Sequence, residues 1–343
     1  MHSNTTSSQP ALTRRRFLSL TGAALGSALL AGCSVARAAG RAPQQGDEGL
    51  TVHIGDQPSF YLLKVADKKG FFKDEFAHDG ITVKVSQFVN VGPAIVEALK
   101  SQDLDLGALG ALPLITATAG GAPFTSLASI NYVEDQFKLV AGKESGVHGV
   151  KDLAGKRVGV KFATNSHQMV LELLKKYGVA RSDVELVNIS DDDIISSLSA
   201  NKIAAGSVGN TALASAQAVG AYPIADNSET GLITNSLVGR EAFIKDHPRV
   251  VVRVLKVLKR ADAWIAAHPD ETAEIFAEAA KSDLAAAKKN LQARKVKLSI
   301  GSRYLTEPLQ HSIEFAREAK LISRDIRVQD IVDTSFAQKA GVK

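Results

Sequence analysis

Residues 151–167 read KDLAGKRVGVKFATNSH, and their reading decides the fold. Asp152 can start a turn, and Gly155 can take the positive φ that ends it. Arg157 to Val160 has the length and β-branched content of a short buried strand. Thr164, Asn165 and Ser166 are good helix N-caps, placed just before an apolar-periodic run at 169–174. A strand that hands small polar side chains and free backbone N–H groups to a helix start suits an anion. The stretch therefore reads as one jaw of a two-lobed binding protein, with the rest of the chain supplying the other jaw and a tether.

Working outward, residues 50–54 alternate as a first strand, followed by a turn at 55–58 and a helix over 60–69 that Gly70 stops. Phe71, Phe72 and Phe76 belong to a short helical or turn segment whose rings pack on the core. Strands are predicted at 81–88, 104–109 and 124–130, with helices at 94–100 and 114–119 opened by Pro93 and Pro113. Repeated strand–loop–helix units argue for a parallel α/β sheet, whose ligand crevice lies at the carboxyl ends of its strands. The loops at 56–59, 90–92 and 109–112 then share one rim.

A strand at 137–142 leads into a polar crossover at 143–149 and then into the opening stretch, whose helix Gly178 closes. A strand at 184–189 reaches Ser190, which has capping-box spacing to Asp193 and is followed by three acids at the positive end of a helix. Strands at 203–208, 221–224 and 231–238 enclose an Ala-rich helix ending at Val219. Beyond Glu241 the pattern is helical: 248–267, a helix from Pro269, 283–293, 307–319 and 330–336.

The chain has 343 residues and is 45% apolar, which suggests two domains. Its formal net charge is +5, but Arg14, Arg15 and Arg16 fall in the first 32 residues, which hold no acid. Without those three, 38 of the 41 basic residues face 36 acidic ones, which is not a nucleic-acid-binding balance.

The triple arginine precedes Phe17, Leu18 and an apolar run to Gly32 that is too short for a membrane span and reads as a secretory h-region. Paired arginines before Phe–Leu resemble the twin-arginine export signal. Leu29–Leu30–Ala31–Gly32–Cys33 resembles a bacterial lipobox. Cys33 is the only cysteine, which excludes a disulfide within one chain and leaves a lipidated anchor or a free thiol. Residues 1–32 are then a signal peptide and 33–49 a flexible, lipidated tether.

Several motifs, taken in order, resemble bacterial ABC-transporter substrate-binding proteins of the aliphatic-sulfonate, taurine and nitrate branch. They are Gly70–Phe71–Phe72, the run 88–94 (FVNVGPA), 97–99 (EAL), 104–113 (LDLGALGALP) and 150–158 (VKDLAGKRV). The resemblance implies a type II periplasmic-binding-protein fold with two α/β lobes, two hinge crossings and C-terminal helices packed on lobe 1. Lobe 1 would be 50–143 and 236–343, lobe 2 would be 144–235, and the hinge would run through 143–149 and 233–237. It also implies no enzymatic activity, no cofactor, an ABC permease as partner, a cell-envelope location outside the cytoplasm, and a monomer. The ligand would be a small organic anion, most simply an aliphatic or aromatic sulfonate. Alternatives are a nitrate-like oxyanion, an aromatic carboxylate, a thiamine-pathway pyrimidine, or a different role as a sensor lipoprotein or a pyrimidine-synthase-like enzyme. Relatives often carry an aromatic residue, and the taurine type an acid, where this chain has Ser207 to Thr211.

Thr164, Asn165 and Ser166 exceed what one cap needs, so they are the first ligand candidates. His167 follows as a candidate contact or a packed histidine. Gln57 and Ser59 serve either turn or ligand. Asp56 would repel an anion, so an exposed turn position is expected, with an ammonium contact as the alternative. Gly92, Leu109, Gly110 and Ala111 are implied by the resemblance as backbone donors. Asn210 and Asn235 are further candidates, and Lys161 is either solvated or a source of positive charge. No Gly-x-Ser-x-Gly, His-Glu-x-x-His or P-loop occurs, and the eight histidines show no metal-ligand spacing.

Overall fold

The computed structural model describes residues 46–58, 60–88, 91–133, 136–280, 283–293 and 297–343. The expected leader, Cys33, most of the tether and Ser59 lie outside the described residues.

The first half of lobe 1 runs β1 (Thr51–Asp56), α1 (Leu62–Lys68), α2 (Phe71–Phe76), β2 (Thr82–Gln87), α3 (Val91–Lys100), β3 (Leu106–Gly110), α4 (Ala111–Ala119) and β4 (Phe124–Val133). The second lobe runs β5 (Phe137–Ala141), β6 (Arg157–Val160), α5 (Asn165–Lys176), β7 (Glu185–Asn188), α6 (Asp191–Ser199), β8 (Ala205–Gly209), α7 (Leu213–Ala218) and β9 (Tyr222–Asp226). The chain then returns through β10 (Ile233–Arg240) to α8 (Glu241–Asp246), α9 (Pro248–Ala267), α10 (Pro269–Ala280), α11 (Leu284–Ala293), α12 (Thr306–Glu318), α13 (Val328–Ile331) and α14 (Ser335–Lys339).

Two five-stranded sheets result, in the orders β2-β1-β3-β10-β4 and β7-β6-β8-β5-β9. The βαβ units pair in parallel as expected. The sheets are nevertheless mixed, because β10 runs antiparallel to β3 and β4, and β5 runs antiparallel to β8 and β9. A strand that crosses between lobes enters its sheet from the far side, which reverses its direction.

Those pairings also correct the position of the crossings. The sequence placed the first at 143–149, but β5 already pairs with β8 and β9, and Lys138 Nζ lies 2.8 Å from Asp226 Oδ2. The chain therefore changes sheets between Val133 and Phe137. It returns between Asp226 and Ile233, whereas 233–237 already pairs as strand inside the first sheet, with a register shift between Asn235 and Ser236. The two crossings meet where Asn227 Oδ1 accepts the Phe137 N–H at 2.7 Å.

Each face of the lobe 1 sheet is covered. Val52, Ile54 and Leu237 pack with Phe71, Phe72 and Phe76 and with the apolar stripe of α9. Leu109 and Val238 share a core with α3, α4 and α12, including Leu309 and Ile313 of α12 and its N-cap Leu305. The C-terminal helices thus pack on lobe 1, and each fully buried Leu, Ile or Phe contributes roughly 1.5–3 kcal/mol. One helix was expected over 330–336. Two short ones form instead, because Val332 between them is extended and bridges to Ser126 of β4.

Candidate functional site

A cavity of about 490 Å³ lies where the carboxyl ends of both sheets' parallel strands meet. Lobe 1 lines it with Gln57 and Pro58 after β1, Gly92 in α3, and Gly110 and Pro113 around the start of α4. Lobe 2 lines it from three strand ends: Lys161 and Thr164 before α5 with Asn165 and Ser166 in its first turn, Ser190–Asp192 before and in α6, and Gly209 at the end of β8 with Asn210–Ala212 after it. Gln136 at the first crossing and Asn235 in β10 also line it.

The opening stretch folds as its residue types require. Gly155 sits at φ 74° and Gly178 at φ 72°, while Thr164 is the extended N-cap residue of α5. Thr164 Oγ1 does not cap the helix. It donates to the Lys161 carbonyl at 2.7 Å and lies 3.0 Å from Ser166 Oγ. Both hydroxyls and Asn165 are buried at the cleft wall, and the first backbone N–H groups of a helix have no intrahelical acceptor.

Asn165 bridges the lobes. Its Oδ1 accepts the backbone N–H of Leu112 in α4 at 3.1 Å, and its Nδ2 donates to Asn235 Oδ1 at 3.3 Å. Asn235 Nδ2 donates onward to Gln136 Oε1 at 3.2 Å. The contact is close enough that a Cβ on Gly110 would stand 2.6 Å from Asn165 Nδ2. Glycine at Gly110 is therefore required by the approach of the other lobe.

Of the sequence candidates, Gln57, Gly92, Gly110, Thr164, Asn165, Ser166, Asn210 and Asn235 line the cavity. Gln57 is held by its Nε2, which donates to the Ala108 carbonyl at 2.7 Å. Leu109 and Ala111 do not line it; both are buried in the core between α3, α4 and α12. His167 also points elsewhere. Its ring stacks on Phe162 with centroids 4.7 Å apart, and Nδ1 accepts the Ala163 N–H at 3.4 Å. Burial, and then the charge of Arg181, lowers its pKa to about 4, so it is neutral at pH 7.

Asp56 is not an exposed turn residue. It is fully buried, with Oδ2 2.8 Å from Lys64 Nζ and 2.6 Å from Gln87 Nε2. Lys64 also donates to the Gln57 carbonyl at 2.8 Å, which ties the buried pair to the cleft rim. Burial pushes the Asp56 carboxyl above its ordinary range, outweighing the opposing pull of Lys64 and Gln87.

The cleft's charged lining is Lys161, Asp191 and Asp192. Lys161 Nζ lies 3.2 Å from Asp191 Oδ1, so that cation is already compensated. Asp191 Oδ2 accepts the Gly209 N–H at 3.4 Å. An acid therefore does reach the end of β8, where the local sequence has none; it comes from α6. The β7–α6 loop was missed as a wall of the cleft. The strand-end rule that marked the lobe 1 loops applies to it equally. Among the described residues no group of His, Cys, Asp and Glu could hold a metal ion, and no helix is long and apolar enough to cross a membrane.

With these donors the cleft can hold an anion by neutral hydrogen bonds and helix N-termini at one end, and can meet a donor or cation at the other. Comparison with known proteins agrees with this architecture. A Bacillus subtilis (strain 168) protein named for aliphatic sulfonate binding is 29% identical over 317 residues, covering 91% of this chain and 93% of that protein. The taurine-binding periplasmic protein of Escherichia coli (strain K12) is 29% identical over 227 residues, covering 65% of this chain and 69% of its own length. The alkanesulfonate-binding protein SsuA from Xanthomonas axonopodis pv. citri, solved bound to MOPS, superposes with a TM-score of 0.76 at 19% identity, over 83% of this chain and 99% of that one. That likeness gives the periplasmic-binding-protein fold. Residues 57–272 match the NMT1/THI5-like family, and the chain belongs to it.

Proposed function

We propose that this protein is the extracytoplasmic solute-binding component of an ABC importer and captures a small organic sulfonate between its lobes. The observation that carries the reading is convergence. Gly92 of α3, Gly110 at the start of α4 and Thr164–Ser166 at the start of α5 line one cavity, with one compensated lysine among them. A sulfonate is a strong acid that spreads one charge over three oxygens, so several neutral donors suit it better than one cation. Each charge-assisted hydrogen bond is worth roughly 1.5–3 kcal/mol, and each helix N-terminus roughly 0.3–1 kcal/mol. Relatives named for sulfonate and taurine binding support the same class and a binding role rather than an enzymatic one.

Closure of the lobes on the ligand gives the form a permease would recognise, and a ligand drives closure only by its preference for the closed form. Residues 1–32 act as an export signal, and Cys33 carries the lipid that tethers a monomeric binding unit at the membrane surface. The sequence motifs at Arg14–Leu18 and Leu29–Cys33 support this. A second reading, an aminoalkanesulfonate, is favoured by Asp191 and Asp192 on the lobe 2 wall. A thermal-shift series tests both: ethanesulfonate and taurine against propionate, nitrate, benzoate and a hydroxymethylpyrimidine. Stabilisation by the sulfonates above the carboxylate of equal length is expected, and taurine above ethanesulfonate selects the second reading. A melting temperature that responds only to propionate, benzoate, nitrate or the pyrimidine rejects sulfonates as the ligand class.

A further inference from the structure

Helix α5 presents its N-terminus to the cleft, and its outer side meets α12 of lobe 1. Glu172 Oε1 lies 3.0 Å from His311 Nε2, and Lys175 pairs with Glu318. Glu172 is 12% exposed and also accepts from Gln168 Nε2 at 2.9 Å, so its position is fixed from within lobe 2. Neither pair touches the cavity lining. Both join the helix of one lobe to the helix of the other, so any rotation that separates α5 from α12 breaks them.

The surroundings of His311 are acidic. Glu172 faces it from α5, and Glu318 of its own helix, which acts on it electrostatically, is engaged by Lys175 of α5. Glu307 and Glu314 flank it on its own helix. The return crossing brings the Thr230 carbonyl to its ring, and a Cβ at Gly231 would stand 3.8 Å from His311 Nε2. On α13, Val328 shares its surface, while Asp330 is paired with Arg327 at 2.7 Å. Glu229 of the crossing is occupied by Lys176 at 2.8 Å and by the Tyr177 hydroxyl at 2.7 Å.

We propose that the α5–α12 seam is a proton-dependent clasp, in which the imidazolium of His311 on Glu172, beside the Lys175–Glu318 pair, holds the lobes closed over the cleft. This rests on the reading that the lobes open and close. The hydrogen bond and charge of Glu172 are the largest upward pull on the His311 pKa, and parting α5 from α12 removes that pull and lowers it. Closure therefore takes up a proton. The clasp is fully formed below the ordinary histidine value and weakens as pH rises through the raised one.

The test is small-angle scattering of the ligand-free protein at pH 5.5 and 8.5, at low salt, for the native chain and His311→Gln. The native radius of gyration is expected to be smaller at pH 5.5, the difference to shrink in 0.5 M NaCl, and the variant to show the same radius at both pH values. Lys175→Gln, which keeps the histidine, should expand the protein at both pH values and retain the pH difference. An equal native radius at both pH values overturns the proposal, as does a His311→Gln protein that keeps the native difference. Calorimetry with ethanesulfonate and taurine adds a second readout: affinity about three- to tenfold weaker at pH 8.5 than at pH 5.5 in the native chain and level in His311→Gln. If neither sulfonate binds at any pH, the sulfonate reading fails while the scattering result still decides the clasp.

Discussion

The side-chain oxygen of Asn165, at the start of the lobe 2 helix α5, accepts the backbone N–H of Leu112, at the start of the lobe 1 helix α4, at 3.1 Å. One residue thus ties together two helix N-termini that both face the cavity. Asn165→Ala removes this tie and the donor to Asn235. Leaving the buried Leu112 N–H unpaired in the closed form costs about 1–3 kcal/mol. Ligand affinity should fall roughly tenfold or more by calorimetry, with a small change in melting temperature; native affinity would show that the tie does not help closure.

Gly110→Ala tests the same approach from the other side. The new methyl would stand 2.6 Å from Asn165 Nδ2, so Asn165 must withdraw. The backbone at Gly110 is extended and accepts alanine without strain. Lobe 1 should therefore keep its stability while binding weakens and scattering shows a more open particle. A destabilised protein with intact affinity would contradict this.

The Asp56–Lys64 pair gives a stability prediction. Asp56→Asn leaves the Lys64 ammonium buried beneath Gln57 without its carboxylate. Breaking one side of a buried pair costs about 3–5 kcal/mol, seen as a lower denaturant midpoint at unchanged slope. The double variant Asp56→Asn/Lys64→Met should recover much of that loss.

His167 gives a pH prediction. Its folded pKa of about 4 lies below the ordinary 6.5, so the unfolded chain binds the proton more readily between those values. Its contribution to stability is therefore full above pH 6.5 and is lost as pH falls toward 4. The native chain should lose roughly 2–3 kcal/mol across that window from this group. His167→Gln should remove that part of the slope in urea titrations at pH 7, 6, 5 and 4.5, and an unchanged slope would refute the assignment.

Much of this arrangement is local chemistry and therefore legible in the chain. Gly155, Gly178, the N-cap position of Thr164 and the Ser190–Asp193 cap depend on neighbours within a few residues. What was not legible depends on distant partners. Asp56 looks like a turn residue until Lys64 reaches back to it, and His167 looks available until its ring lies on Phe162. The acid beside Gly209 arrives from Asp191, eighteen residues earlier in the chain. The crossing after Val133 could not be seen because a strand's sheet is set by its partners, and β5 finds them in β8 and β9.

The central claim is that the Thr164–Ser166 wall of the cleft holds the anionic head of a sulfonate. Calorimetric titration of the native chain and of Thr164→Ala/Ser166→Ala with ethanesulfonate and taurine tests it most directly. Thr164 Oγ1 donates to the Lys161 carbonyl and orients Ser166 Oγ, so the variant loses one side-chain donor to a charged group together with the hydroxyl that positions it. Binding should weaken by roughly 1.5–3 kcal/mol, or about ten- to a hundredfold, while circular dichroism remains native. Equal affinity in the native chain and the double variant would contradict the account.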